Sequence, residues 1–419
     1  MVGLDIGTTK VCAVIGERTE TGGLEITGVG TSPSTGLRKG VVVNIEATLR
    51  SVGAAIEAAE MMSGREVHSA WTGIGGSHID GINSRGVVAV TGKNRETREI
   101  GEEDILRVLE AARAVAIPMD RQVLELIPQS YIVDDQKGIR DPQDMIGVRL
   151  EAEVHIITCS VTSAQNLVKC VNRAGFRVDG LVLQSLAAGR AVLTEEEKEL
   201  GVALVDMGGG TTDVLVYFEG APYSTTTIPA GGTQVTSDIS IIKNISFETA
   251  EKIKLEAGSC WQGNGNGNPV SNVHGEEDVI VPGVGGRAPL AIPRKEIEEI
   301  IRPRLEEIFF MVKEKLDKLA FSRPLGGGVV LTGGGSQLLG AAELASEIFR
   351  LPARVGAPLS AGGLVEEYRN PAYATAVGLV LEGNEREMAK GLERGTRRAE
   401  KGNTPLFGRL AEWLKKEFF

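Results

Sequence analysis

Aromatic residues are scarce in this 419-residue chain, at 4%, and cysteine and histidine occur four times each. Cys12, Cys159, Cys170 and Cys260 show neither metal-ligand spacing nor a dense pairing pattern, which leaves buried free thiols as the reading. His68, His78, His155 and His274 form no metal spacing either, and His155, inside a strand-like run, reads as a satisfied core residue. No run of eighteen apolar residues and no leader-type segment occurs, so no membrane crossing is expected. Basic residues are outnumbered, 45 against 56 acidic, and the net charge of −11 argues against nucleic acid as the main partner. Also missing are a Gly-x-x-x-x-Gly-Lys-Ser/Thr run, a Gly-x-Gly-x-x-Gly after a strand and a Gly-x-Ser-x-Gly elbow. P-loop, Rossmann and hydrolase-elbow chemistry therefore lose support.

What the chain does have is glycine, 54 residues of it, gathered in clusters. One stretch runs Val2-Gly3-Leu4-Asp5-Ile6-Gly7-Thr8-Thr9-Lys10 and on through Val11–Ile15. About two hundred residues later stands Val202–Val205, then Asp206-Met207-Gly208-Gly209-Gly210-Thr211-Thr212-Asp213, then Val214–Tyr217. Both read as apolar strand, Asp-x-Gly, paired threonines, apolar strand, the pattern of a hairpin with a glycine turn. Two copies indicate a duplicated unit. Only four residues precede Asp5, so the first strand is expected almost at the first residue.

A composition of 42% hydrophobic and 24% charged residues is that of a globular protein, and the length calls for about two to four domains. After each hairpin the pattern alternates between strand and helix. Helices are predicted over 45–62, 163–174 (capped by Ser163), 295–319 (with Pro303 inside) and 337–349, and a strand over 67–74. Such alternation implies α/β domains. Residues 77–153 read as one insert, with strand-like runs at 86–91, 122–133 and 148–157 and a helix at 102–116. Residues 232–294 read as a second, holding a helix at 247–257 and a Gly/Asn-rich loop, Gly263–Pro269, expected to be solvated and mobile. Residues 384–403 are dense in both signs of charge and read as a flexible linker with a reach of roughly 25 Å.

A glycine turn can point several backbone N–H groups into one concavity, which binds phosphate. Glycine allows close approach and unusual φ values there. Threonine hydroxyls add hydrogen bonds, and an aspartate at each strand end can hold Mg²⁺ through water. Two facing turns would clamp a polyphosphate and its metal from opposite sides. A third cluster, Thr332-Gly333-Gly334-Gly335-Ser336-Gln337, follows an apolar strand. It suits a flat base or a ribose, and it suits equally a plain strand-to-helix turn.

Taken together these residues resemble the actin/Hsp70/sugar-kinase superfamily. Residues 5–10 and 205–213 look like its two phosphate motifs and residues 331–337 like its adenosine motif. Leu183-Gln184-Ser185-Leu186-Ala187-Ala188-Gly189 and Pro371–Leu379 look like its two connecting helices. Within it the chain is similar to the FtsA family, through the stretch up to Gly16, Ile228–Gly232 and Val281-Pro282-Gly283-Val284-Gly285-Gly286-Arg287. The resemblance implies an α/β, actin-like (ribonuclease H-like) fold of duplicated domains with a nucleotide cleft between them and two inserted subdomains. Domain I would comprise 1–76, 154–195 and 362–383, with 77–153 as the family's own subdomain. Domain II would comprise 196–231 and 295–361, with 232–294 inserted.

The same resemblance implies ATP and Mg²⁺ as cofactors. Asp5 and Asp206 would hold the metal, Asp206 also counting as catalytic. Gly7, Thr8, Thr9, Lys10, Gly208, Gly209, Gly210, Thr211 and Thr212 would hold phosphates. Gln184 would orient the attacking water; relatives often carry Glu there, and Gln cannot act as a base, which implies a weak ATPase at most. Glu251 and Lys254 would reach the ribose, and Gly333, Gly334, Gly335 and Gln337 would line the nucleoside. Thr233 stands where an acidic or amide residue is usual, with Asp238 as a partial replacement. The implied partners are the C-terminal peptide of the tubulin-like FtsZ, met on the second insert, other division proteins, and further copies in a filament. The implied location is the cytoplasmic face of the membrane at the septum.

Thr404-Pro405 reads as a helix start. Leu406, Phe407, Leu410, Trp413, Leu414 and Phe418 then share one face, opposite Arg409, Glu412, Lys415, Lys416 and Glu417. This is the pattern of an interfacial membrane helix; docking on the protein's own core is the other reading. Full burial of six such groups would contribute on the order of 10 kcal/mol, so one partly buried helix binds reversibly and a filament of them binds tightly. A small-molecule kinase of the same fold and a pilus-assembly adaptor are the competing functions.

Overall fold

The structure, a computed structural model, describes residues 1–399 except 20–22, 91–97, 262–277, 282–288, 320–323, 360 and 364–368. The chain opens with β1 (Val2–Ile6), β2 (Lys10–Arg18), β3 (Leu24–Pro33) and a short hairpin of β4 (Leu37–Arg38) and β5 (Val41–Val42). Helix α1 (Ile45–Ser63) and strand β6 (Ser69–Ile74) follow. The Asn44 side chain accepts from the Ala47 N–H to start α1, and Gly64, at φ 66°, ends it in the left-handed region. Next come β7 (Asp80–Ala89), β8 (Arg98–Glu99), α2 (Glu102–Arg113), β9 (Arg121–Val133), β10 (Gln136–Ile139), β11 (Ile146–Gly147) and β12 (Arg149–Ser160). Helix α3 (Val161–Arg173), β13 (Arg177–Leu183) and α4 (Gln184–Val192) return to the first body, and α5 (Glu195–Leu200) leads into the second. The cap of α3 is Ser160, whose hydroxyl accepts from the Ser163 N–H, not Ser163 as the sequence suggested.

The second body has β14 (Val202–Met207), β15 (Thr212–Phe218) and β16 (Ala221–Ile228), then α6 (Gly232–Lys243) and α7 (Phe247–Ala257). It continues with β17 (Val279–Val281), β18 (Leu290–Ile292), α8 (Arg294–Asp317), β19 (Val329–Thr332), α9 (Ala341–Phe349) and β20 (Ala353–Val355), after which α10 (Ala374–Ala399) returns to the first body and packs on β1, β2 and β6.

Two five-stranded sheets carry the duplication, in the orders β3-β2-β1-β6-β13 and β16-β15-β14-β19-β20. In both, the hairpin strands pair antiparallel and the next two strands pair parallel. The central strands β1 and β14 are apolar on both faces because helices cover both sides. Between the sheets, Val14, Leu204, Ala188 and Val377 share one core cluster, so the bodies are fused where α4 and α10 cross. That crossing needs glycine: a Cβ at Gly378 would stand 1.8 Å from the Ala187 carbonyl oxygen.

The first insert is a four-stranded antiparallel sheet, β10-β9-β12-β7, packed on α2 around its own core. Strand β12 runs to Ser160, beyond the expected boundary at 153, and feeds α3 directly. The stretch expected as a linker from residue 384 is helical through Ala399, as the continuation of α10. It lacks an apolar period because ion pairs hold its first turns: Arg190 meets Glu385, and Arg386 meets Glu382 and Glu125 at 2.5 and 2.8 Å. The loop Gly263–Pro269, the Pro282–Arg287 motif and the amphipathic stretch 404–419 lie outside the described residues.

Candidate functional site between two glycine turns

The two turns expected to share a cleft meet tip to tip. A Cβ at Gly209 would stand 2.4 Å from Thr9 Cγ2, and one at Gly210 would stand 2.7 Å from Thr8 Oγ1. Each turn closes in the same way, with Gly7 N–H donating to the Lys10 carbonyl and Gly208 N–H to the Thr211 carbonyl, both at 2.9 Å. Glycine serves approach rather than conformation here. Gly7, Gly208, Gly209 and Gly210 are absent from the positive-φ glycines, contrary to the sequence argument, and only Gly333 of the three clusters has a left-handed φ, 78°. The N–H groups of Thr8, Thr9, Gly209 and Gly210 meet no backbone acceptor among the described residues.

Asp5, half-buried at the end of β1, accepts from Gln184 Nε2 at 2.7 Å. Gln184 is the first residue of α4 and lies over Gly75, where a Cβ would stand 2.0 Å from its Oε1. Its amide is thus committed to Asp5. Asp206, buried at the end of β14, accepts from Thr375 Oγ1 at 3.2 Å. Thr375 sits in the first turn of α10. A third carboxyl, Asp213, accepts from Thr227 Oγ1 at 2.5 Å and from Thr211 Oγ1 at 3.3 Å. Burial and mutual repulsion drive the three upward. Asp206 is pushed to about 7 by burial, then by Asp213 and Asp5, and Asp213 to about 6, chiefly by burial. Asp5 is raised by burial, with Lys10 and Gln184 pulling the other way.

Lys10 does not point freely into the cleft. Its ammonium donates to the Ala372 carbonyl at 2.6 Å and lies 4.1 Å from the centre of the Tyr373 ring. A short loop also reaches the first turn, where Gly40 N–H donates to Thr8 Oγ1 at 3.2 Å. The second turn is capped from behind by the start of α6: Gly232 and Thr233 N–H donate to the carbonyls of Gly208 and Gly209 at 2.9 and 2.8 Å. Thr212, buried, donates to the Ala230 carbonyl at 2.8 Å.

The third cluster joins the second turn. A Cβ at Gly333 would stand 2.3 Å from Asp206 Oδ1, and one at Gly335 would stand 2.9 Å from Met207 Cβ. Gly334 faces open space, and exposed Gln337 turns back on the Gly334 carbonyl at 3.5 Å. Residues 334–337 form one 3₁₀ turn, so α9 begins at Ala341 and not at 337. Lys254 and Glu251 pair at 2.7 Å on α7, and Lys254 also donates to the Gly232 carbonyl and Thr236 Oγ1, at 3.3 and 3.0 Å. That pair therefore lies directly behind the α6 cap. Asp238 is not at the cleft turn; it holds Arg304 at 2.6 Å, one helix face away.

Asp213, Thr227, Thr375, Ala372 and Tyr373 were not singled out from sequence. Asp213 stands in the second repeated stretch, and its position directly after the paired threonines was the available signal. The hydroxyl partners come from strands and helices that only the fold brings near. Among the described residues no group of three or more His, Cys, Asp or Glu side chains is placed to ligate a metal directly.

Comparison with known proteins places this arrangement. Residues 203–378 match the family model "Cell division protein FtsA", and residues 76–158 match "SHS2 domain inserted in FTSA". The cell division protein FtsA of Borreliella burgdorferi is 46% identical over 419 residues, covering 100% of this chain and 99% of that protein. The Pseudomonas aeruginosa FtsA is 44% identical, covering 100% and 98%. Among solved structures, a PilM-PilN type IV pilus biogenesis complex is similar with a TM-score of 0.63 at 17% identity, covering 91% of this chain and 98% of that one. MreB5 of Spiroplasma citri bound to AMPPNP gives 0.54 at 16%, covering 94% and 98%. These likenesses establish the actin-like fold, and the full-length identity establishes the family: the chain belongs to the FtsA cell-division proteins.

Proposed function

We propose that this protein binds ATP with Mg²⁺ between its glycine turns, polymerises, and tethers FtsZ filaments to the inner face of the cytoplasmic membrane. The carrying observation is the contact of Thr8 and Thr9 with Gly210 and Gly209, which brings together, from both bodies, turn amides that have no backbone acceptor among the described residues, near three carboxyl groups. The donor set fits the group. Carboxyls that burial and repulsion hold near neutrality gain most from a divalent cation, and hydrated Mg²⁺ binds carboxylates through its own waters. The buried Thr233 hydroxyl, without a partner among the described residues, supplies a further donor beside the second turn. Asp5 and Asp206 would hold the hydrated metal, which neutralises phosphate charge when bound. Gly7–Lys10 and Gly208–Thr212 would hold the phosphates, and Gly333–Gly335 with Gln337 the nucleoside. Glu251 and Lys254 would act near the ribose. Hydrolysis would be weak, because Gln184 has no basic group and is held by Asp5.

The domain division given above remains our reading, with the boundary of the first insert moved toward residue 160. The second insert leaves Ile241, Ile242, Phe247 and Leu255 exposed, an apolar surface suited to the FtsZ C-terminal peptide. Membrane attachment would use Leu406, Phe407, Leu410, Trp413, Leu414 and Phe418. The test is calorimetric titration of the full chain with ATP, with and without Mg²⁺, beside vesicle cosedimentation of the full chain and of a chain ending at residue 403. Expected are Mg²⁺-dependent binding in both chains and vesicle binding only in the longer. Absence of nucleotide binding sinks the cleft reading, and vesicle binding by the shorter chain sinks the anchor.

A further inference from the structure

The first insert leaves the first sheet between β6 and α3, yet it leans on the second sheet. His155, on β12, is 1% exposed and spans the two. Its Nδ1 donates to Asn83 Oδ1 on β7 at 2.6 Å, and its Nε2 accepts from Thr225 Oγ1 on β16 at 2.8 Å. Asn83 Nδ2 donates to the Tyr223 carbonyl at 3.1 Å, and Gln129 Nε2, from β9, to the Pro222 carbonyl at 3.0 Å. Gly81 makes the approach possible, since a Cβ there would stand 2.7 Å from His155 Cε1 and 3.0 Å from the Thr225 carbonyl oxygen. Burial pushes the imidazole down to about 4, so the ring is neutral at neutral pH, as this bonding requires.

Strand β16 has a second duty. Thr227 lies two residues beyond Thr225, on the same face of the strand, and donates to the cleft carboxyl Asp213 at 2.5 Å. The hydroxyl that grips the insert and the one that grips the cleft are thus about 7 Å apart on one pleated strand. A second route runs along α10. Thr375, in its first turn, holds Asp206, and Arg386, three turns on, holds Glu125 of the insert at 2.8 Å and lies 5.3 Å from the Trp71 ring. Both routes begin on a cleft carboxyl and end on the insert.

We propose that the insert is coupled to the cleft through β16 and α10, so that a ligand on either one changes the affinity of the other. This deepens the nucleotide reading and rests on it for the identity of the cleft ligand, not for the coupling itself. A strand fixed in its sheet cannot shift Thr227 without shifting Thr225, and linkage makes the effect reciprocal.

The test is amide hydrogen exchange on the full chain. Mg²⁺ with a non-hydrolysable ATP analogue is expected to slow exchange across β7 about tenfold, a size typical of coupled sites. Thr225→Val is expected to bind the analogue as the wild type does and to lose most of that slowing, the α10 route carrying the remainder, and Thr225→Ser to keep it. A second arm needs no nucleotide: Thr227→Val is expected to speed exchange across β7 while α3 is unchanged. If the analogue fails to bind but the second arm responds, the cleft ligand is misidentified and the coupling stands. Exchange across β7 that ignores Thr227→Val, or that slows equally in Thr225→Val with bound analogue, overturns it.

Discussion

At the first glycine turn, the aspartate stands between a glutamine that donates to it and a lysine that draws its proton off; at the second, it stands among carboxyl groups with one threonine for support. The turns arise from one repeated pattern and close with the same hydrogen bond, yet the electrostatics have separated. The first body supplies the cleft's cation and the second most of its buried negative charge. The connecting helices diverge in the same way. Gly189 of α4 has ordinary contacts, with no atom nearer to an added Cβ than 3.4 Å, whereas Gly378 of α10 meets backbone at 1.8 Å. Duplication thus set the geometry, and the charges then became complementary between the halves.

The largest effect expected from breaking this symmetry falls on the helices. Gly378→Ala forces the crossing apart at a carbonyl, which cannot rotate away, and should destabilise by about 3 kcal/mol or more. Gly189→Ala should be neutral or stabilise by up to about 1 kcal/mol, since a helical glycine gains from a methyl group where space allows. Urea unfolding of the two variants measures the difference directly. Equal effects would mean that the two helices are equivalent after all.

Next come the aspartates. The Asp206 carboxyl is raised to about 7 in the folded chain from an ordinary value of 3.8. Between those values the folded chain holds a proton that the unfolded chain has released, so stability falls as pH rises across that window and levels off above it. Asp206→Asn removes this slope. The ligand-free variant should exceed the wild type by about 2 kcal/mol near pH 8, discounted for partial solvation, with the gain shrinking toward pH 4. Asp5→Asn should show the same sign, since burial raises that carboxyl too, against the pull of Lys10 and Gln184. Denaturation midpoints across pH check both, and a loss of stability in either variant near pH 8 would mean that burial does not dominate at that turn.

What could be read in advance divides along the same line. The Asp-Gly-Thr turns were legible because each is a local pattern whose partners lie within a few residues, and the repeat marked them twice. Thr375, Thr227 and Ala372 were not, because their partners, Asp206, Asp213 and Lys10, lie 169, 14 and 362 residues away. The predicted linker failed for a related reason. The charged run at 384–387 lacks apolar periodicity because its partners are Arg18, Arg190 and Glu125, which only the fold supplies. The cap of α3 slipped by one turn because Ser160 and Ser163 are equally good caps, and the register of β12 decides between them.

The smallest and sharpest test exchanges character between the turns. Gln184→Glu keeps the side-chain shape but replaces the donor to Asp5 with a second carboxyl at the same 2.7 Å. The first turn then resembles the second, with two acidic groups competing for one proton. Without ligand, the variant should lose about 1 kcal/mol of stability near pH 8, a lost hydrogen bond plus repulsion, and recover it as pH falls and the pair takes up a proton. With Mg²⁺ and ATP the sign should change, since a cation favours the added negative charge, and a carboxylate can accept a proton from water where an amide cannot. Turnover should therefore rise about tenfold or more over the wild type, with a steeper dependence on Mg²⁺. Loss of stability without any gain in turnover would mean that Gln184 only buttresses Asp5 and that no water is activated at that side of the cleft.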